Sequence, residues 1–471
     1  MTPRAEPAST SDFYSPQVRT ALVLTGTGTA GAYHAGVLRA LHEAGVKIDM
    51  VAGRGIGALG AVFAAIDGGQ RLWEERGFWR SPAVARFYRW SRLVRLAAAA
   101  FALSIAVVVV PLAAVALGLV VFPIDFGLKM VGVGGASGLA GSYLQVANAA
   151  FAPEGLPTWL PRFVVLLLTA VALAAGLGAL LDTTPRRQRG ALWWRGMPPP
   201  LSASEAFDHC WRVMWDLVRG AAPLKQPPVT ELARRYTELL AENLGQPGFR
   251  ELIITVHDLD AGRDLVFALV SESRRRDLIR RRTSEAADRR RAEVFDLSGI
   301  ARDHLADAVA AALAVPVATH PHAITFAPDS YWRGETHRLT DRPGCVTRLL
   351  EELADLGVEQ AIVVSASAES PGPHALAAPR IDGRGRMGEY LHSAEAASVR
   401  DATTLAAGRL ARLFTICPTH NPIGPFDFCG SYDERSDRRQ PLDELMSGGY
   451  EDAYHQFIEP VVAAGGDRVG I

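Results

Sequence analysis

The chain has 471 residues and carries 49 lysines and arginines against 50 aspartates and glutamates, a formal net charge of −1. That balance excludes nucleic-acid binding driven by a global basic field, and the length excludes a single small domain while allowing a large core with additions. Four cysteines (Cys210, Cys345, Cys417 and Cys429) with no C-x-x-C pair exclude a dense disulfide framework and suit a reducing compartment.

Residues 1–20 are a polar tail without the apolar core of a signal peptide. Leu22-Val23-Leu24 then reads as a strand and Gly26-Thr27-Gly28-Thr29-Ala30-Gly31 as a turn. A helical pattern follows from Tyr33 to Ala44, and Gly45 stops it. Residues 46–50 lead into a second strand, Met50-Val51-Ala52, which ends in a second turn, Gly53-Arg54-Gly55-Ile56-Gly57. Two strand–turn–helix units side by side suit ester hydrolysis. That chemistry wants a nucleophile on a sharp bend and donors aimed at the developing oxyanion. Gly53 and Gly57 supply the small neighbours of such a bend. Gly55, at its centre, supplies no attacking atom. The first turn can aim several N–H groups at one point beside a helix N-terminus. It also satisfies G-x-G-x-x-G through Gly26, Gly28 and Gly31, a dinucleotide-binding pattern. Asp49 falls near the place of a ribose partner, but it precedes the second strand instead of ending it.

Residues 96–122 are apolar except for Ser104, with Pro111 and Gly118 inside, and residues 163–181 are apolar except for Thr169. A bilayer span takes about 20 such residues, so both can cross, and buried core helices are the competing reading. Arg86, Arg89, Arg92 and Arg95 precede the first run, and Arg186, Arg187, Arg189 and Arg195 follow the second. The positive-inside rule puts these flanks in the cytoplasm and the connection outside. That connection, residues 126–151, is itself apolar and glycine-rich enough to dip into the membrane.

Residues 202–243 read as helical, with Trp211 and Trp215 four apart on one face, a core pattern. Residues 249–270 read as strand, turn, strand, with His257 and Asp260 in turn or strand-edge roles. The nine arginines between Arg274 and Arg291 read as a solvated, mobile face that can also meet anionic headgroups. His320-Pro321-His322 is too tight and isolated for a metal site and reads as a surface loop. No metal or cofactor is expected. Further on come a helix over 305–316, Asp341, a helix over 347–357, the strand Gln360-Ala361-Ile362-Val363-Val364-Ser365, Asp382-Gly383, and a C-terminal helix over 442–457.

The two turns and the intervening helix, His34-Ala35-Gly36-Val37-Leu38 and onward, resemble the oxyanion loop, helix and nucleophile elbow of patatin-like phospholipases. The resemblance covers residues 21–460 unevenly, the insertion excluded. It implies a three-layer α/β/α fold with a mostly parallel central sheet, which the two apolar runs are expected to interrupt as a transmembrane helical hairpin. The organisation expected is a tail over 1–20, the first part of the patatin-like domain over 21–90, the hairpin over 91–190, and the second part over 191–471. The resemblance implies that Gly26, Thr27, Gly28 and Thr29 form the oxyanion hole and that Gly53, Arg54 and Gly57 build the elbow around Gly55. Thr27 and Ala30 depart from the family's G-G-G-x-R/K-G, and Arg54 is a candidate replacement for the lost basic residue. The family's catalytic aspartate falls by chain order at Asp341, where Arg342-Pro343 replaces its glycines. Asp382-Gly383 matches the motif text but follows the Val363-Val364-Ser365 strand, out of order. The closing helix resembles that of bacterial members; the membrane expected is a bacterial inner membrane, with the soluble part on its cytoplasmic face by the positive-inside rule.

Three functions follow. The first is a lipid acyl hydrolase with a displaced nucleophile, such as Thr25, Thr27, Thr29 or Cys345. The second is a pseudo-hydrolase that binds membrane lipids or acyl esters with a regulatory or scaffolding role. The third is nucleotide binding through Gly26 to Gly31. A serine returned at position 55 tests how much of the apparatus survives.

Overall fold

The strands β1 (Thr20–Thr25) and β2 (Met50–Gly53) are unbroken runs of apolar or small residues, and every residue in them is buried. Strands covered on both faces read this way. Their side chains alternate: Leu22, Leu24 and Val51 enter one core, and Ala21, Val23, Met50 and Ala52 enter the other. Each strand turns into a helix, α1 (Ala30–Glu43) and α2 (Gly57–Ala65). The computed structural model describes residues 13–132, 138–181, 199–220, 222–279, 290, 292–368 and 380–463.

The chain divides into two units, residues 90–200 and the remainder. The 90–200 unit holds α3 (Arg92–Met130), α4 (Leu139–Ala150) and α5 (Leu156–Leu181). By length and composition α3 and α5 can each cross a membrane. Their apolar side chains are exposed; Leu119 and Leu173, for example, are 72% and 67% exposed. The first helix runs past the expected end at 122, through Pro123, to Met130, about 58 Å at 1.5 Å per residue. Inside the connection, α4 packs on α3: the Tyr143 hydroxyl donates to the Ala114 carbonyl at 2.6 Å, and its ring covers Gly118.

The other unit continues with α6 (Ser204–Arg219) and α7 (Val229–Asn243), where Trp211 is fully buried. A hairpin of β3 (Glu251–Asp258) and β4 (Arg263–Leu269) follows, then β5 (Val294–Asp296), α8 (Leu305–Leu313), β6 (His322–Thr325) and β7 (Thr336–Thr340). The chain then forms α9 (Cys345–Asp355), β8 (Gln360–Ser365), α10 (Gly383–Ala406), β9 (Arg412–Ile416) and α11 (Leu442–Ala453).

Among the described residues these nine strands form one sheet. Its main order is β9-β8-β1-β2-β3-β4-β5, with β7 paired to both β3 and β6. The five strands from β9 to β3 are parallel. The fold is α/β with a mostly parallel central sheet.

Two details differ from the sequence reading. His322 opens a strand and pairs with Asp307 at 2.7 Å, instead of lying in a surface loop. Arg290, from the arginine run, is buried and paired with Glu352, because that carboxylate is itself 1% exposed and needs a cation. Residues 280–289 and 291 of that run lie outside the described residues.

Candidate functional site

The parallel register brings three strand ends level. Leu24 pairs with Gly53, and Thr25 pairs with Ser365. Beyond this edge the two glycine turns meet. The second turn makes a sharp bend with Gly55 at φ +55°, a left-handed conformation that glycine adopts without strain. The next residue, Ile56, donates its N–H to the Gly26 carbonyl at 2.9 Å. A β-carbon placed on Gly55 would lie 2.2 Å from that same Gly26 oxygen and 3.0 Å from Asp341 Oδ2. The first turn therefore presents a carbonyl, not an amide, to the bend. That carbonyl occupies the space a side chain at 55 would need.

Asp341 sits at the end of β7 and is buried, whereas Asp382 is an exposed N-cap of α10 that accepts the Gly385 N–H at 2.8 Å. Arg54 is completely buried between two carboxylates. Its Nη2 lies 2.6 Å from Glu395 Oε2, and its Nε lies 3.4 Å from Asp341 Oδ1. Both are ion pairs by distance, and neither is aligned as a hydrogen bond. The other oxygen of Glu395 accepts from the Thr25 hydroxyl at 2.6 Å. Glu395 lies on α10, far along the chain, and no motif marks it.

Burial pushes the Asp341 carboxyl up to about 6; Arg54 opposes the rise, Glu395 adds to it, and the N–H groups of Arg342 and Gly55 oppose it. The sign for stability follows. Between about pH 4 and pH 6 the folded chain keeps a proton that the unfolded chain has released, so stability falls as pH rises through that window. Asp341→Asn is expected to remove this fall, read as a melting temperature that no longer drops between pH 4 and pH 6 on account of this group.

The first turn is held from outside by residues 424–425. Thr29 donates its N–H to the Pro425 carbonyl at 2.9 Å and its hydroxyl to the Gly424 carbonyl at 2.8 Å. Gly28, at φ +59°, has that Pro425 oxygen 1.8 Å from where a β-carbon would stand, so only glycine fits. Beneath the turn, His34 Nε2 meets the Thr25 carbonyl at 3.1 Å, and burial pulls the imidazole down to about 4. It is a neutral core histidine.

The structure thus brings together Gly26, Arg54, Gly55 and Asp341, with Gly53 and Gly57 flanking the bend. Thr27 lines a crevice beside the first turn with Gly26 and Glu395. Of the candidate displaced nucleophiles, the Thr25 and Thr29 hydroxyls are engaged as described. The buried Cys345 thiol is pushed well above its ordinary value by burial and by Asp264, so it is protonated at neutral pH. Asp49 exchanges hydrogen bonds with Thr20 at the start of β1, the strand end opposite the glycine turn, where a dinucleotide's ribose cannot reach it. Among the described residues, no group of three His, Cys, Asp or Glu side chains could hold a metal ion.

Sheet order and site together define an α/β protein in which two glycine turns meet beyond the ends of parallel strands. Residues 22–117, the stretch that holds both glycine turns, match the family model for patatin-like phospholipase. Over 45 residues it is 56% identical to patatin-like phospholipase domain-containing protein 6 of Mus musculus and of Homo sapiens. That match covers 9% of this chain and 3% of each relative. Among solved structures, VipD from Legionella pneumophila is similar at 12% identity and a TM-score of 0.31, over 94% of this chain and 67% of that one.

Proposed function

We propose that this chain is a membrane-held patatin-like protein that binds lipid and does not hydrolyse it. One observation carries the reading: the Gly26 carbonyl fills the nucleophile's place and takes the Ile56 N–H, a donor that an oxyanion would otherwise use. In another serine hydrolase, loss of the nucleophile costs roughly a millionfold in kcat. Here the Ile56 N–H beside it is also occupied, which removes one donor from the residual catalysis that an open oxyanion hole can sustain. Membrane attachment is supported by the two apolar helices and their arginine flanks. On this reading the hairpin anchors the α/β unit to the cytoplasmic face of a bacterial inner membrane, and the partners are membrane lipids.

The test uses the full chain in phospholipid vesicles. Fatty-acid release is expected to equal that of vesicles alone, while native mass spectrometry finds lipid carried with the protein. Release above that background, or a chain free of lipid, contradicts the reading. A separate expectation concerns the anchor. The full chain should resist alkaline carbonate extraction, and a variant lacking residues 92–181 should be released into the soluble fraction.

A further inference from the structure

Between α8 and β6 the α/β unit carries a strained turn that holds an apolar side chain out into solvent. Val317 has φ +64°, and the Ala318 N–H reaches back across it to the Pro316 carbonyl at 2.7 Å. Three-residue turns of this left-handed kind are rare and strained, and a β-branched residue at positive φ is an outlier. Flanking bonds fix the turn. The Val315 N–H donates to the Thr319 hydroxyl at 2.9 Å, and the Thr319 N–H donates to the Val315 carbonyl at 3.0 Å. Yet Val317 is 83% exposed, so its side chain gains no burial within the chain. A single exposed apolar residue is ordinary. A valine held out on a backbone that glycine would adopt without strain calls for a cover outside the chain.

The place of the turn in the fold selects that cover. The α/β unit breaks off after Arg89 and resumes at Leu201. Both ends of this break are fastened to the stretch that carries the turn. The Tyr88 hydroxyl donates to the Leu313 carbonyl at 2.8 Å, and the Leu201 N–H donates to the Ala318 carbonyl at 2.8 Å. Val317 therefore stands beside the two points at which the chain leaves for the apolar helices and comes back. At the first of them Arg89 and Trp90 are exposed, a cation and an indole of the kinds that settle at headgroup level. The same stretch also reaches the glycine turns, since the Ala314 carbonyl accepts the Asp341 N–H at 2.7 Å. A protein partner suits the turn poorly. A stable interface buries about 800 Å² on each side, and Val317 is followed by buried Ala318 and Thr319 and by the polar His320. A bilayer surface accepts a single apolar tip.

We propose that Val317 inserts into the headgroup layer of the bilayer that α3 and α5 span. It thereby fixes the α/β unit on the membrane at the strand ends where the glycine turns meet. The inference rests on the membrane attachment proposed above, and not on lipid binding or on the absence of hydrolysis.

The test uses full chains in which Cys417→Ser and Cys429→Ser remove the two thiols that are not buried. A nitroxide is then attached through Val317→Cys, Leu119→Cys or Glu359→Cys, one position per chain. All three positions are exposed, and cysteine lacks the β-branch that strains position 317. Glu359 precedes β8, at the strand ends opposite the glycine turns. Each chain is placed in vesicles of phosphatidylcholine and phosphatidylglycerol. Power saturation then reads collisions with oxygen, which favours lipid, and with a nickel chelate, which stays in water. Oxygen is expected to exceed the chelate at positions 119 and 317, and the chelate to exceed oxygen at position 359. A water-like reading at 317 with a lipid-like reading at 119 overturns this inference alone. Water-like readings at both overturn the membrane attachment with it. Shielding of 317 from both reagents also overturns the inference, because a protein surface then covers the turn. A lipid-like reading at 359 overturns the fixed orientation.

Discussion

Gly55→Ser is expected to give no ester turnover and a less stable protein. Its β-carbon must enter a space 2.2 Å from the Gly26 oxygen, at a backbone φ of +55° that glycine alone adopts freely. Relief requires the first turn to move, which breaks the 2.9 Å bond from the Ile56 N–H. It also loosens a turn that the 424–425 segment holds from the other side. Overpacking of this kind costs about 1–3 kcal/mol, and the lost hydrogen bond about 1 kcal/mol more. A destabilisation of about 2–4 kcal/mol follows, read as a lower melting temperature. Turnover stays at background because the Ile56 N–H beside the serine is already taken by the Gly26 carbonyl and its candidate base, Asp341, is paired with Arg54. Ester hydrolysis above background by this single variant would show that the turn opens readily, against the geometry.

Arg54→Met carries the second large effect. Arg54 is the one cation placed between Asp341 and Glu395, and all three side chains are at most 5% exposed. Removing one partner of a buried ion pair leaves uncompensated charge and costs about 3–5 kcal/mol. The same physics predicts rescue. Arg54→Met combined with Asp341→Asn and Glu395→Gln keeps the shapes and removes the stranded charges, so it should recover at least half of the loss. Chemical denaturation of the native chain and these two variants measures this. An unchanged midpoint for Arg54→Met would mean that the triad contributes nothing to the fold. In the structure Arg54 lies between Asp341 and Glu395, where its charge offsets theirs.

Much of the framework was legible because it rests on local signals. The apolar runs at 20–25, 50–53 and 360–365 are buried parallel strands, and the glycines after the first two mark their turns. Chain order singled out Asp341 over Asp382, and the structure places Asp341 beside Gly55. What could not be read depends on long-range packing. The Gly26 carbonyl is held by the Ile56 N–H, and the rest of the turn by Pro425, nearly 400 residues later. Glu395 sits in an ordinary helical stretch, and only the sheet brings α10 to Thr25. The extension of α3 beyond residue 122 lies outside the unbroken apolar run, which ends before Pro123 and Asp125, yet the helix continues through both to Met130.

The central claim is that the bend has lost its attacking atom and that no other group has replaced it. Intact-mass analysis of the full chain after exposure to a fluorophosphonate probe tests this most directly. The account predicts no mass increase at any residue under conditions that fully label an active serine hydrolase. Stoichiometric labelling, whether at Thr25, Thr27, Thr29, Cys345 or any serine, would contradict it.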